Sequence, residues 1–177
     1  MYLKDGGRGI VVANCQEVNV ESNIISECSK EGIRCYGSIL SGITLEDNEV
    51  YGCKGSGILL RDGKVASLKG NRVHECGEIG IFLYNFSRAE IIGCQSYSNG
   101  QTGPNFDGIR IEDCNHVICS LNHCFDLQKS KTQRYGIILT GESSYCQITG
   151  NNLQENDVKG VHYNATGEGN IIKDTIE

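Results

Sequence analysis

The residues that could do chemistry gather in one stretch, Asn105-Phe106-Asp107-Gly108-Ile109-Arg110-Ile111-Glu112. If Gly108 opens a strand, Arg110 and Glu112 point to the same side of it, about 7 Å apart by backbone rise. Asp107 then stands just ahead of them. A guanidinium between two carboxylates suits capture of an anionic ligand. The plainer alternative is a solvated strand with an ordinary Arg–Glu pair, which contributes little. A second basic stretch, Gln128-Lys129-Ser130-Lys131-Thr132-Gln133-Arg134-Tyr135, leads into the next such strand.

A repeat has to position these residues. Glycine followed by isoleucine or valine recurs at Gly9, Gly32, Gly57, Gly80, Gly108, Gly136 and Gly160, at spacings of 23, 25, 23, 28, 28 and 24. One residue after each glycine stand Ile10, Ile33, Ile58, Ile81, Ile109, Ile137 and Val161. Three after stand Val12, Cys35, Leu60, Leu83, Ile111, Leu139 and Tyr163. The positions between are mixed, and the fourth column is polar or aromatic. Period-two alternation means strands with one face inward. Strands recurring at one period of this length predict a solenoid in which each coil buries its inner face against its neighbours. The reading is all-β: a single-stranded parallel β-helix of about seven coils of 23–28 residues, one domain over 1–177. No 3.6-residue stripe predicts a helix.

Asn23, Asn48, Asn71 and Asn122 fall at one turn of the repeat, where side-chain amides can bond the backbone and, stacked in register, one another. Cys28, Cys53 and Cys76 follow three of these asparagines by five residues, and Asn99 takes the matching place in the next coil. The ten cysteines therefore read mostly as small hydrophobes on inward columns. No Cys-x-x-Cys pair exists, and Cys114, Cys119 and Cys124 lie along one coil, so neither a disulfide framework nor a metal site is expected. Unpaired thiols fit a cytoplasmic protein or a phage particle.

The net charge of −6 argues against a nucleic-acid or acidic-membrane surface. No apolar stretch approaches the roughly 18 residues of a membrane span, and the opening residues show no apolar signal run. The two 28-residue repeats place extra residues at 99–106 and 128–134, and solenoid insertions tend to gather on one face, often the binding face. These loops should form a wall beside Asp107, Arg110, Glu112 and Tyr135. Lys129, Lys131 and Arg134 would give it positive charge on an acidic protein. Phe82, Tyr84 and Tyr135 would stack on sugar rings, and His162 is the one histidine on the outward face of the glycine strands.

The units Gly57-Ile58-Leu59-Leu60 and Asn71-Arg72-Val73-His74-Glu75-Cys76 resemble the right-handed parallel β-helix repeats of the pectin-lyase-like superfamily. The stretches from Asn122 to Phe125 and from Gln133 to Ile137, with Gly150-Asn151-Asn152, are similar to those of bacterial and phage β-helix proteins. The resemblance implies a right-handed helix and a family of pectate lyases, polygalacturonases, mannuronan epimerases and phage tailspikes.

Carried over residue by residue, Asn105-Phe106-Asp107-Gly108 partly matches the first polygalacturonase element. Arg134-Tyr135 stands where paired aspartates belong and Lys159 where a histidine belongs, so hydrolysis with two carboxylates is not expected. The epimerase signature Asp-Pro-His-Glu is absent; the only proline is Pro104. A uronate-lyase-like site would draw on Asp107, Arg110 and Glu112, with calcium as the cofactor neutralising the substrate carboxylate. The leading expectation is a domain that binds an acidic polysaccharide in a groove on the parallel sheet, touching Phe82, Tyr84, Lys131, Arg134, Tyr135 and His162. A non-catalytic assembly module of phage-tail type is the alternative, and a lyase-like enzyme ranks third. Because the repeat starts and stops without capping elements, the chain is expected to be a fragment of a longer β-helix, or to self-associate through its faces or uncapped ends.

Overall fold

A computed structural model describes residues 2–3 and 7–177; residues 1 and 4–6 of the opening stretch lie outside it. Every assigned element is a β-strand, and every strand pair is parallel. The chain winds as a parallel β-helix with the right-handed crossovers that parallel neighbours adopt.

The columns after the repeat glycines pair in the register that the sequence predicts. Ile33 pairs with Ile58, Ile58 with Ile81, Ile81 with Ile109, Ile109 with Ile137 and Ile137 with Val161. These residues are buried, as are Cys35, Leu60, Leu83, Ile111 and Leu139 two positions on. Ile10 in the first described coil is half-buried, and Tyr163 in the last is 48% exposed. Two further strand columns complete each coil. One runs through Val18, Ile43, Ala66 and Ala89. The other runs through Ile25, Val50, Val73, Ser96 and Cys124. The core is a single column of apolar side chains down the helix axis.

Each coil turns at corners held by residues with positive φ. The corner after the glycine strand uses Asn14, Gly37, Asp62, Asn85, Asp113 and Gly141. Asparagine and aspartate tolerate this backbone region best among residues with a Cβ. Gly141 also has a steric reason, since a Cβ there would stand 2.2 Å from Asp113 Oδ1.

Two buried polar ladders run along the axis. In the first, Asn23 Nδ2 donates to Asn48 Oδ1 at 3.0 Å, and Asn48 Nδ2 donates to Asn71 Oδ1 at 3.0 Å. Asn71 Nδ2 then reaches Cys94 Sγ at 3.8 Å, the Cys94 amide donates to Asn122 Oδ1 at 2.9 Å, and Asn122 Nδ2 donates to Asn151 Oδ1 at 3.0 Å. In the second, the Cys28–Cys53–Cys76 stack passes to Asn99 through the Cys76 amide. Asn99 Nδ2 donates to Gln133 Oε1 and Gln133 Nε2 to Asn156 Oδ1. Nine cysteines are buried and free; Cys15 is also free but exposed.

Candidate functional site

The site is built where the two inserted loops meet. Asp126 organises the second loop, accepting from the amides of Gln128, Thr132 and Gln133. Phe106 of the first loop pairs in parallel with Gln133 of the second, and the Arg134 amide donates to the Phe106 carbonyl at 2.8 Å. Thr132 Oγ1 bonds the Asn99 carbonyl. The insertions thus form one joined wall, and Arg134 emerges from it beside the strand that follows Gly108.

Asp107 is the centre of the arrangement. Its side chain is wholly buried and accepts from two guanidinium groups. Arg110 donates to Oδ2 from Nη2 at 2.6 Å and from Nε at 3.0 Å. Arg134 donates from Nε to Oδ1 at 3.1 Å and from Nη2 to Oδ2 at 3.3 Å. Charge-assisted forks of this kind fix guanidinium orientation as well as charge. Two cations share this one buried carboxylate. Glu112 lies 4.0 Å from Arg110 Nη1 and is partly exposed. Asp107 has no lone pair directed to solvent, so in this arrangement it holds the arginines and does not itself touch a ligand.

The outward arginines rest on aromatic rings. Arg34 lies 4.9 Å from the Tyr36 ring centre, Arg61 5.6 Å from Tyr84, Arg110 5.8 Å from Phe82 and Arg134 4.5 Å from Tyr135. His162 stacks on Tyr135 at 4.5 Å and 9°. Both Arg134 and His162 therefore lie against the Tyr135 ring. Such cation–π seating stiffens a guanidinium while its N–H edge stays available.

Arg110, Glu112, Arg134, Tyr135, Thr140 and His162 line one open cleft of about 330 Å³. A second cleft of about 570 Å³ lies over the corner residues Asp62, Asn85 and Asp113. Asp113 borders both, so the two clefts meet at that corner. Of the residues expected at the site, Phe82 and Tyr84 sit on the adjoining coil, tilted together at 6.1 Å. Lys131 is held elsewhere: its Nζ bonds the Asp126 carbonyl within its own loop. The wall beside Arg110 draws its charge from Arg134.

Sequence alignment missed the corner column as a cleft lining, although its run of Asn, Gly and Asp was readable. It also missed that Asp107 joins Arg110 to Arg134, a contact across 27 residues that depends on how two insertions fold together. Among the described residues no three His, Cys, Asp or Glu side chains converge as a metal-binding group. Among the described residues no helix is long and apolar enough to cross a membrane.

The family model described as "Right handed beta helix region" matches residues 8–176. No curated protein sequence matches the chain. Among solved structures, the A-module of the mannuronan C-5 epimerase AlgE6 from Azotobacter vinelandii superposes with a TM-score of 0.69 at 16% identity, covering 99% of this chain and 57% of that one. The periplasmic alginate epimerase AlgG gives 0.69 at 14% identity, with 99% and 49% covered. The Dettilon tailspike protein gp208 gives 0.63 at 19% identity, with 81% and 30% covered. The chain thus spans about half the length of the epimerases, and at these identities the likeness is one of fold.

Proposed function

The chain belongs to the right-handed β-helix family, and from that premise we propose that it binds an acidic polysaccharide along the outer face of its glycine-strand sheet. The observation that carries the reading is the pair of guanidinium groups, Arg110 and Arg134, held by one wholly buried carboxylate at the edge of an open cleft. Arg134 leaves Nη1 without a protein acceptor among the described residues, and that edge suits a uronate carboxylate. One coil rise, about 4.8 Å, is close to the length of one pyranose ring, so an extended glycan lying along the helix axis meets one coil per sugar. Structural neighbours that include a mannuronan epimerase and an alginate epimerase support a polysaccharide as the ligand class.

Within this reading Asp107 positions the arginines, Arg110 and Arg134 take the anion, and Tyr135 with His162 supplies a stiff rim. Both Asp107 oxygens are engaged by guanidinium, and no step depends on calcium.

Calorimetric titration with acidic and neutral oligosaccharides of equal length, with and without calcium, tests it. Acidic chains should bind and neutral ones should not. Arg110→Ala should abolish binding at this cluster, whereas Lys173→Ala, on the exposed last strand, should leave it unchanged. Calcium-dependent release of unsaturated products absorbing in the ultraviolet would promote the site to a lyase-like one. A folded protein that binds no acidic glycan would overturn the proposal and leave the assembly module.

A further inference from the structure

The arrangement at Asp107 occurs twice. Glu31 stands immediately before Gly32 as Asp107 stands before Gly108, and in each case an arginine follows three residues after the carboxylate. Glu31 Oε1 accepts from Arg34 Nη1 at 3.1 Å, and Oε2 accepts from Arg8 Nε at 2.6 Å. Arg8 is the residue before Gly9 on the neighbouring coil. The arginine exposures are similar: Arg8 and Arg34 side chains are 30% and 21% exposed over a Glu31 at 14%, against 21% and 24% for Arg110 and Arg134 over an Asp107 at 0%. In both clusters two cations share one carboxylate; at the Asp107 cluster Glu112 also lies 4.0 Å from Arg110.

We propose that Arg8, Glu31 and Arg34 form a second anion subsite on the same track, so that the protein reads a glycan carrying carboxylates at a fixed separation. The proposal rests on the polysaccharide reading above and deepens it by naming the ligand's charge spacing.

The ladder sets that spacing. Arg34 pairs with Leu59, Leu59 with Phe82, and Phe82 with Arg110. Three strand steps at about 4.8 Å place the two clusters about 14 Å apart. One sugar per coil then puts the two anions about three residues apart along an extended chain. The positions between, Leu59 and Phe82, are uncharged and half-buried, which suits the apolar faces of intervening rings. The second arginines lie on the far sides, Arg8 one coil before Glu31 and Arg134 one coil after Asp107. Each cluster therefore presents one cation inward along the track and one outward. The Arg34 fork is also the less satisfied of the two, since its Nε is buried without an acceptor.

The consequence is a dependence on chain length. A uronate dimer can reach one cluster only, so two should bind per protein. A chain long enough to span both, about four residues, should bind once. Its second contact is intramolecular, and the affinity should rise at least tenfold over the dimer.

Isothermal titration with homo-oligogalacturonates from dimer to hexamer reads stoichiometry and affinity together, and the stoichiometry needs no variant. The expected result is a change from two sites to one between dimer and tetramer, with the affinity step. In the double variant Arg8→Ala, Arg34→Ala, checked for folding by its melting curve, the dimer should bind once and the step should disappear. One dimer per wild-type chain, or a step that persists in the double variant, overturns the second subsite and leaves the Arg110–Arg134 site standing. Absence of binding at every length overturns both.

Discussion

Arg134 and Asp107, 27 residues apart in sequence, meet in an ion pair at 3.1 Å with the Asp107 carboxylate fully shielded from water. The contact ties the second insertion to the strand that carries Arg110. Removing the carboxylate leaves two cations side by side, with only Glu112, 4.0 Å from Arg110, as a nearby counter-charge. Each is about a quarter exposed and can regain some hydration, so the cost falls below the 3–5 kcal/mol of a fully buried broken pair. Asp107→Ala should lose about 2–3 kcal/mol in urea denaturation, with an unchanged slope. No measurable loss would show that the insertions hold their place without the pair.

The asparagine ladder makes a sharper claim. Asn71 Oδ1 accepts from both the amide and the Nδ2 of Asn48, and its own Nδ2 donates to the Leu45 carbonyl. Asn71 is fully buried. Asn71→Ala leaves those groups unsatisfied at about 1–3 kcal/mol each before relaxation. Asn23, at the open end of the ladder and partly exposed, should cost under about 1 kcal/mol when replaced by alanine. Equal losses at the two positions would contradict the ladder account.

These ladders show how far the sequence could be read. The glycine columns and their register were legible because period two and a steady coil length leave one inward alignment. The ladder was legible at Asn23, Asn48, Asn71 and Asn122, but not at Cys94, which fills an asparagine position with a sulfur acceptor. Gln133 was missed because it reaches the second ladder from inside an insertion, 34 residues after Asn99. Arg110 was legible as an outward residue. Its seat on Phe82 and its tie to Arg134 depend on side-chain directions that column alignment does not carry. Lys131 counted as groove charge in the alignment, yet it bonds its own loop. The Glu31 cluster went unnoticed because its three residues come from two coils and resemble no motif.

The cysteines give a pH prediction. Burial pushes the thiols of Cys35 and Cys114 up to about 12 and that of Cys94 up to about 11, from an ordinary value near 8.5. A thiol raised in this way holds its proton more tightly in the folded chain. Its stabilisation is therefore complete below about pH 8.5 and is lost as pH rises through 11 and 12. Each such thiol contributes a slope of about 1.4 kcal/mol per pH unit in that window. Denaturation midpoints should stay level from pH 7 to 8 and fall steeply above 9.

Reactivity should follow the same pattern. Nine thiols are buried and Cys15 is exposed. In the Cys28–Cys53–Cys76 stack the thiols bond one another, and burial raises Cys28. All three are at most 2% exposed, and a buried thiol meets no reagent. Under native conditions a thiol reagent should label Cys15 quickly and the others only on unfolding. In denaturant without reductant the count should reach ten. A count of eight would reveal a bridge, with neighbouring coils of the stack as the place to look.

The geometry of the groove predicts that charge alone will not serve at Arg134. Its guanidinium uses Nε on Asp107 Oδ1 and Nη2 on Oδ2 while lying 4.5 Å from the Tyr135 ring centre. An ammonium on a flexible stem can make one of these contacts at a time and cannot lie flat on the ring. Arg134→Lys keeps the net charge, so any nonspecific attraction to an acidic glycan survives. What it removes is the fixed direction of the remaining N–H edge. The expected result is about a tenfold loss of affinity for an acidic oligosaccharide, about 1.4 kcal/mol, with the melting temperature lowered by a few degrees at most. Raising the salt should weaken wild type and variant in parallel, since screening acts on charge and not on orientation. Lysine binding as tightly as arginine would mean that the cleft offers only a positive field, and the assignment of Arg134 as an oriented carboxylate receptor would fall.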